Sequence, residues 1–175
     1  MDNIVLIGMP GAGKSTVGVI LAKAIGFDFI DTDILLSKQI GYTLQDFIDK
    51  FGIEEFLRAE ERAGLSVSCE RTVIATGGSM VMSDPAMRHL KKGARTLWLN
   101  PPFEELKRRL DNIKTRGIVM AGGQDIRDIY SQRIPLYRKY ADIIISRTGS
   151  EDTDIESVVG EIIRQIDKLN SQTVE

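Results

Sequence analysis

The chain has 175 residues, of which 42% are hydrophobic and 27% charged, with a formal net charge of −2. That is room for one well-buried core and too little for two typical domains, and the charge balance excludes a strongly polyelectrolyte partner. Lysine and arginine are scattered, with only short clusters such as Lys107-Arg108-Arg109, so nucleic acid is not an expected ligand.

In chain order, Ile4 to Ile7 is a continuous apolar run of strand length, as in a central strand buried on both faces. Val17, Ile20, Leu21, Ala24 and Ile25 then recur at helical spacing, and Gly26 ends that helix. Phe27 to Ile30 reads as a second strand. Glu54 to Ser68 reads as a helix and Thr72 to Ala75 as a third strand. His89 falls on a surface helix beside Arg88, Lys91 and Lys92 and carries no expected role. Thr96 to Leu99 makes a fourth strand, with Trp98 in the core, and Phe103, Leu106 and Leu110 mark a helix after Pro101-Pro102. The stretch from Asp111 to Gly123 has three glycines (Gly117, Gly122, Gly123), no sustained apolar period and a lone Arg116, and reads as a loop. A helix from about Gln124 to Tyr140, a fifth strand from Ile143 to Ile145 and an amphipathic stripe from Ile155 to Leu169 complete the pattern. Strands alternating with helices predict an α/β fold with a parallel sheet.

Cys69, the sole cysteine, leaves no internal disulfide and suits a reducing cytoplasm; as a small apolar filler it needs no chemistry. One histidine cannot build a multi-imidazole metal site. The N-terminal residues are too short and acidic for a signal peptide, and no apolar run approaches the roughly 20 residues of a membrane span. A cytoplasmic protein is expected, monomeric or homodimeric, without membrane or nucleic-acid partners.

Gly8-Met9-Pro10-Gly11-Ala12-Gly13-Lys14-Ser15 fits G-x-x-x-x-G-K-[ST], with a strand before it and a helix after it. Backbone N–H groups must wrap closely around a polyphosphate, and side chains would obstruct that approach. The helix opening near Ser15 adds its positive end. Gly11, Ala12, Gly13, Lys14, Ser15 and Thr16 are therefore the expected ATP contacts. Lys14 faces the outer phosphates, Thr16 the α-phosphate, and the Ser15 hydroxyl suits Mg²⁺.

Asp31-Thr32-Asp33 follows the second strand, at the edge of the sheet where ligands bind in such folds. In an extended segment the two carboxylates share a face. Beside a triphosphate, that suits a metal-directed Asp31 and a hydroxyl-directed Asp33. Asp33 is equally placed to cap a helix starting at Ile34.

Together these features resemble the shikimate kinase family over nearly the whole chain. The resemblance rests on the P-loop, Asp31-Thr32-Asp33, Phe47, Gly52 to Phe56 with Glu60, Gly77-Gly78, Arg116, and Arg133-Ile134-Pro135-Leu136-Tyr137. It implies a five-stranded parallel sheet in the order 2-3-1-4-5, in one P-loop kinase domain over residues 1–175. A substrate-binding region would lie at about 32–60 and a lid at about 111–124. By position it implies Asp33 at the substrate hydroxyl as base or orienting group, and Gly77 and Gly78 against substrate and γ-phosphate. Arg133 would grip the substrate carboxylate, Arg116 reach the transferring phosphoryl group, and Arg109 stack on adenine. From spacing alone, Arg109 also matches an ion pair with Glu105, while Arg133 and Arg116 also fit ordinary surface charges.

The acceptor pocket departs from the family pattern. F-R-x-x-E reads here Phe56-Leu57-Arg58-Ala59-Glu60, so Leu57 occupies the arginine position and Arg58 stands one step later, about 100° around a helix. Losing one partner of a buried charged pair costs about 2–5 kcal/mol. The lid, Arg116-Gly117-Ile118-Val119, and the loop from Arg147 to Asp154 also differ from the usual pattern. The expectation is therefore a kinase for a hydroxyl of a small carboxylated metabolite. Shikimate is the leading acceptor and homoserine a rival, with Asp33, Leu57, Arg58, Gly77, Gly78 and Arg133 on the acceptor side. A non-catalytic nucleotide-sensing module is the alternative from a different class.

Overall fold

A computed structural model describes residues 3–111, 124–146 and 154–172. Five parallel strands run through it: β1 (Asn3–Ile7), β2 (Asp28–Asp31), β3 (Thr72–Ala75), β4 (Ala94–Asn100) and β5 (Ile143–Ser146), in the spatial order β2-β3-β1-β4-β5. This is the predicted order. β1 lies at the centre, Val5 opposite Ile74 on one side and Thr96 on the other, and Ile4 to Ile7 are buried. Parallel pairing demands crossovers, and the helices that supply them cover both faces.

α1 (Lys14–Ile25) follows β1 and packs on the sheet at Gly18, where a Cβ would stand 2.6 Å from the Phe29 ring. α2 (Thr32–Ile40) and α3 (Leu44–Leu65) form an arm between β2 and β3. α4 (Asp84–Lys91) precedes β4, and α5 (Phe103–Asp111) follows it. α6 (Ile126–Tyr140) enters through a capping box made by Asp125 and Asp128, and α7 (Ile155–Gln172) lies against α1 and β5. Two apolar clusters result. The larger spans the sheet and its helices; the smaller, around Leu36, Phe47, Phe56, Ala59 and Ala63, belongs to the α2–α3 arm alone.

Several boundaries differ from the sequence reading by a residue or more, and three of the differences have a clear physical cause. β2 starts at Asp28 rather than Phe27, because the Phe27 N–H donates to Ala22 O at 2.9 Å and closes the end of α1 over Gly26. α3 begins at Leu44, ten residues before the expected start by the difference of 54 and 44, and runs through a kink at Gly52 (φ 82°, ψ 169°) that interrupts the apolar period. α2 begins at Thr32, not Ile34, so Asp33 is not the cap. Asp31 is: its Oδ1 accepts from the N–H groups of Asp33 (2.9 Å) and Ile34 (3.3 Å). His89 lies on α4 with its Nε2 2.7 Å from Val67 O, and Trp98 is buried against Tyr137, ring centroids 5.7 Å apart. No helix among the described residues is long and apolar enough to cross a membrane.

Candidate active site

The C-terminal ends of β1, β2 and β3 open into one cavity of about 970 Å³. Its nucleotide wall is the turn between β1 and α1. Gly8, Gly11 and Gly13 all have positive φ (147°, 79° and 89°), and a Cβ on Gly8 would stand 2.5 Å from Leu99 O. Glycine is what lets this chain fold back on itself so tightly. Gly13 caps α1 without any side-chain hydrogen bond, so the first-turn N–H groups, which lack an i−4 acceptor, keep their open end toward the cavity. Lys14 is buried, its Nζ donating to Gly8 O (2.8 Å) and Met9 O (2.9 Å). The ammonium therefore sits under the centre of the loop. Gly11, Gly13, Lys14 and Ser15 line the cavity. Ala12 and Thr16 do not: the Ala12 N–H is spent inside the loop on Met9 O (3.1 Å), and Thr16 faces solvent.

The opposite wall comes from α2, α3 and the turn after β3. Thr76 ties that turn to β1, its Oγ1 donating to Leu6 O at 3.0 Å, and the Gly77 N–H donates to Thr32 Oγ1, also at 3.0 Å. Two acids converge on Gly77. A Cβ there would collide with Glu60 Oε1 and stand 2.6 Å from Asp33 Oδ1. At Gly78 a Cβ would stand 2.6 Å from Pro10 Cδ, so the turn lies directly against the phosphate loop. The Tyr137 hydroxyl fixes it there by donating to Gly78 O at 2.7 Å.

Glu60 is 3% exposed and lines the cavity. Burial pushes its carboxyl up to about 7. Asp33 adds to the rise, while a hydrogen bond from Ser79 and the charges of Arg133 and Lys14 oppose it. Arg133 is also 3% exposed, which removes the surface-charge reading, and it hydrogen-bonds Tyr137. Burial holds the Tyr137 phenol well above its usual range. Asp33, Glu60, Ser79, Arg133 and Tyr137 thus form a polar cluster between the two apolar cores.

Other expected residues lie elsewhere. Arg58 is on the outer face of α3, paired with Glu54 (3.8 Å) and Glu55 (3.4 Å), and does not line the cavity. Leu57 packs into the small cluster of the arm. Arg109 makes the ion pair with Glu105 and also donates to Gly11 O at 2.9 Å, which lays its guanidinium along the phosphate loop. Arg116, the lid around it, and residues 147–153 of the loop after β5 lie outside the described residues.

The sequence matches the family model for shikimate kinase over residues 10–167. The chain belongs to the shikimate kinase family. A shikimate kinase of Thermodesulfovibrio yellowstonii is 35% identical over 174 residues, 98% of each chain. That of Caldanaerobacter subterraneus is also 35% identical, covering 98% of this chain and all of its own. The human protein Threonine synthase-like 1 is 33% identical over 98% of this chain, which spans only 23% of that longer protein. Among solved structures, a shikimate kinase from Acinetobacter baumannii in complex with shikimate superposes with a TM-score of 0.87 at 29% identity, covering 96% of this chain and 94% of its own.

Membership in the shikimate kinase family makes this chain an ATP-dependent phosphotransferase acting on a hydroxyl group. Nothing in these matches specifically favours a nucleotide-sensing module. Two members of the polar cluster stand in the quoted motifs, but their burial and contacts were not foreseen. Glu60 shares a helix face with Phe56, Ala59 and Ala63, so a charge on a buried stripe was its signal. Tyr137 signalled itself only as the last residue of Arg133-Ile134-Pro135-Leu136-Tyr137, with no hint that its hydroxyl would hold the Gly78 carbonyl.

Proposed function

We propose that this chain transfers the γ-phosphoryl group of ATP to a hydroxyl of a small carboxylated metabolite, with shikimate as the acceptor. The observation that carries the reading is the Asp33 carboxylate in the first turn of α2, just past β2, beside Gly77 and in the same cavity as the phosphate loop. The shikimate-bound neighbour from Acinetobacter baumannii supports the choice of acceptor.

The amides of Gly11 and Gly13 and the Lys14 ammonium would hold the β- and γ-phosphates, with Arg109 at adenine. The positive-φ glycines and the uncapped helix end fit such a ligand. The Ser15 hydroxyl and Asp31, whose cap uses only Oδ1, would hold Mg²⁺, which neutralises charge on the phosphates. Asp33 would orient the acceptor hydroxyl and take its proton. The hydroxyl oxygen bonds to the γ-phosphorus as the bond from that phosphorus to the β-bridging oxygen breaks, and ADP leaves with the electron pair. Gly77 and Gly78 would bring backbone against the acceptor, and Arg133 would attract its carboxylate. Arg116 would stabilise the transferring group, as arginine fingers do by about 10³–10⁵ in rate.

Purified protein with Mg-ATP tests the reading by ADP release and by the mass of the product. Shikimate should raise ADP release well above the water background and gain one phosphoryl group. If neither shikimate nor homoserine does so, the acceptor assignment fails.

A further inference from the structure

The acceptor end of the cavity is acidic. Lys14 and Asp31 belong to the nucleotide side, which leaves Asp33, Asp46 and Glu60 against Lys38 among the charged residues lining the rest. Lys38 and Asp46 are exposed and largely screened by water, so the charge that counts is that of Asp33 and the buried Glu60. Among the described residues, the charges of Arg133 and Lys14 oppose it only in part. Arg58 is turned outward into ion pairs with Glu54 and Glu55. Arg133 interacts with both Glu60 and Tyr137 and does not line the cavity. A ligand carrying only a carboxylate competes with Glu60 for Arg133 and brings Glu60 no cation. A ligand carrying ammonium and carboxylate on adjacent atoms offers Glu60 a cation and leaves its carboxylate in the field of the buried Arg133.

Resting on the phosphotransfer reading above, we propose that this pocket also phosphorylates small hydroxylated zwitterions, with the Glu60 carboxylate holding the cationic nitrogen. The carboxylate then lies toward Arg133 and the hydroxyl toward Asp33. Glu60 and Asp33 face each other across Gly77, so one short amino acid can reach both. Bond changes are those already described: phosphorus–oxygen for phosphorus–oxygen, with the hydroxyl proton passing to Asp33 and then to water. A purely structural Glu60, content with Ser79 and Arg133, would be indifferent to nitrogen on the acceptor.

The test compares homoserine with γ-hydroxybutyrate, which keeps the hydroxyl, chain length and carboxylate but lacks nitrogen. Shikimate serves as a third acceptor, all with the full chain and Mg-ATP. Homoserine should exceed γ-hydroxybutyrate in kcat/KM by about 30-fold or more, the value of one buried charged contact. In Glu60→Gln that ratio should fall toward one through a rise in the KM for homoserine. Equal use of homoserine and γ-hydroxybutyrate by the unmodified protein overturns the proposal without any variant, so a misfolded Glu60→Gln leaves it testable. A ratio that survives the substitution also overturns it. If shikimate is phosphorylated and homoserine is not, this inference falls and the proposed function stands; if no acceptor releases ADP, both fall.

Discussion

At the scale of single residues, the site depends on a few positions where no other side chain fits. Gly77 does not have a positive φ, so alanine there would strain no backbone, yet its methyl would push on both Glu60 and Asp33. Gly77→Ala should therefore lower kcat by about 100-fold, the usual penalty for misplacing reacting groups by an ångström. Nucleotide affinity should change little, as steady-state kinetics and a binding titration would show. Glu60 makes a second, thermodynamic prediction. Its carboxyl is raised from 4.5 to about 7 in the fold, so between those values the folded state holds a proton the unfolded chain has released. Stability from this group is thus lost as pH rises through that window, and Glu60→Gln escapes the loss. The melting temperature of the variant should gain on that of the unmodified protein between about pH 5 and pH 8. A constant gap would contradict the assignment. Sequence made Lys14, Ser15 and Asp33 legible because a motif and a strand end fix their surroundings. It left Asp31 and Asp33 unresolved as cap and base, since that choice turns on whether α2 starts at Thr32 or Ile34. It hinted at Glu60's burial only through the apolar stripe on α3, since its partners Ser79 and Arg133 come from other parts of the chain.

At the scale of elements, strands were read to within about a residue or two because burial on both faces leaves an unbroken apolar run. Helices were harder. α3 lost its first half to the kink at Gly52, and α2 is short and only partly apolar. α2 packs chiefly on α3, which also packs on α4, and Phe56 joins the cluster shared by α2 and α3 to the cavity wall. Phe56→Ala should cost about 3–5 kcal/mol of stability, as buried aromatic truncations do. If the variant remains folded, acceptor KM should rise while nucleotide binding is retained, because the phosphate loop belongs to the other cluster. Chemical denaturation and parallel nucleotide titration measure the two effects. An equal loss of both affinities would argue that the arm and the loop are not separable.

At the scale of the whole molecule, a central β1 sends its C-terminal end into the phosphate loop, and the neighbouring β3 and outer β2 deliver Gly78 and Asp33 to the same opening. Parallel topology is thus what brings a cradle built from residues 8–15 to a carboxylate at 33 and a glycine turn at 77, positions far apart in the chain. The strand order followed from family resemblance, whereas periodicity alone gave only the alternation of strands and helices. The most direct measurement is acceptor-dependent ADP release by the unmodified chain and by Asp33→Asn, with nucleotide affinity titrated in both. The account predicts a loss of about 10²–10⁴ in kcat, the range of a general base, with nucleotide affinity preserved. Undiminished turnover in Asp33→Asn, or ADP release that ignores the acceptor, would contradict it.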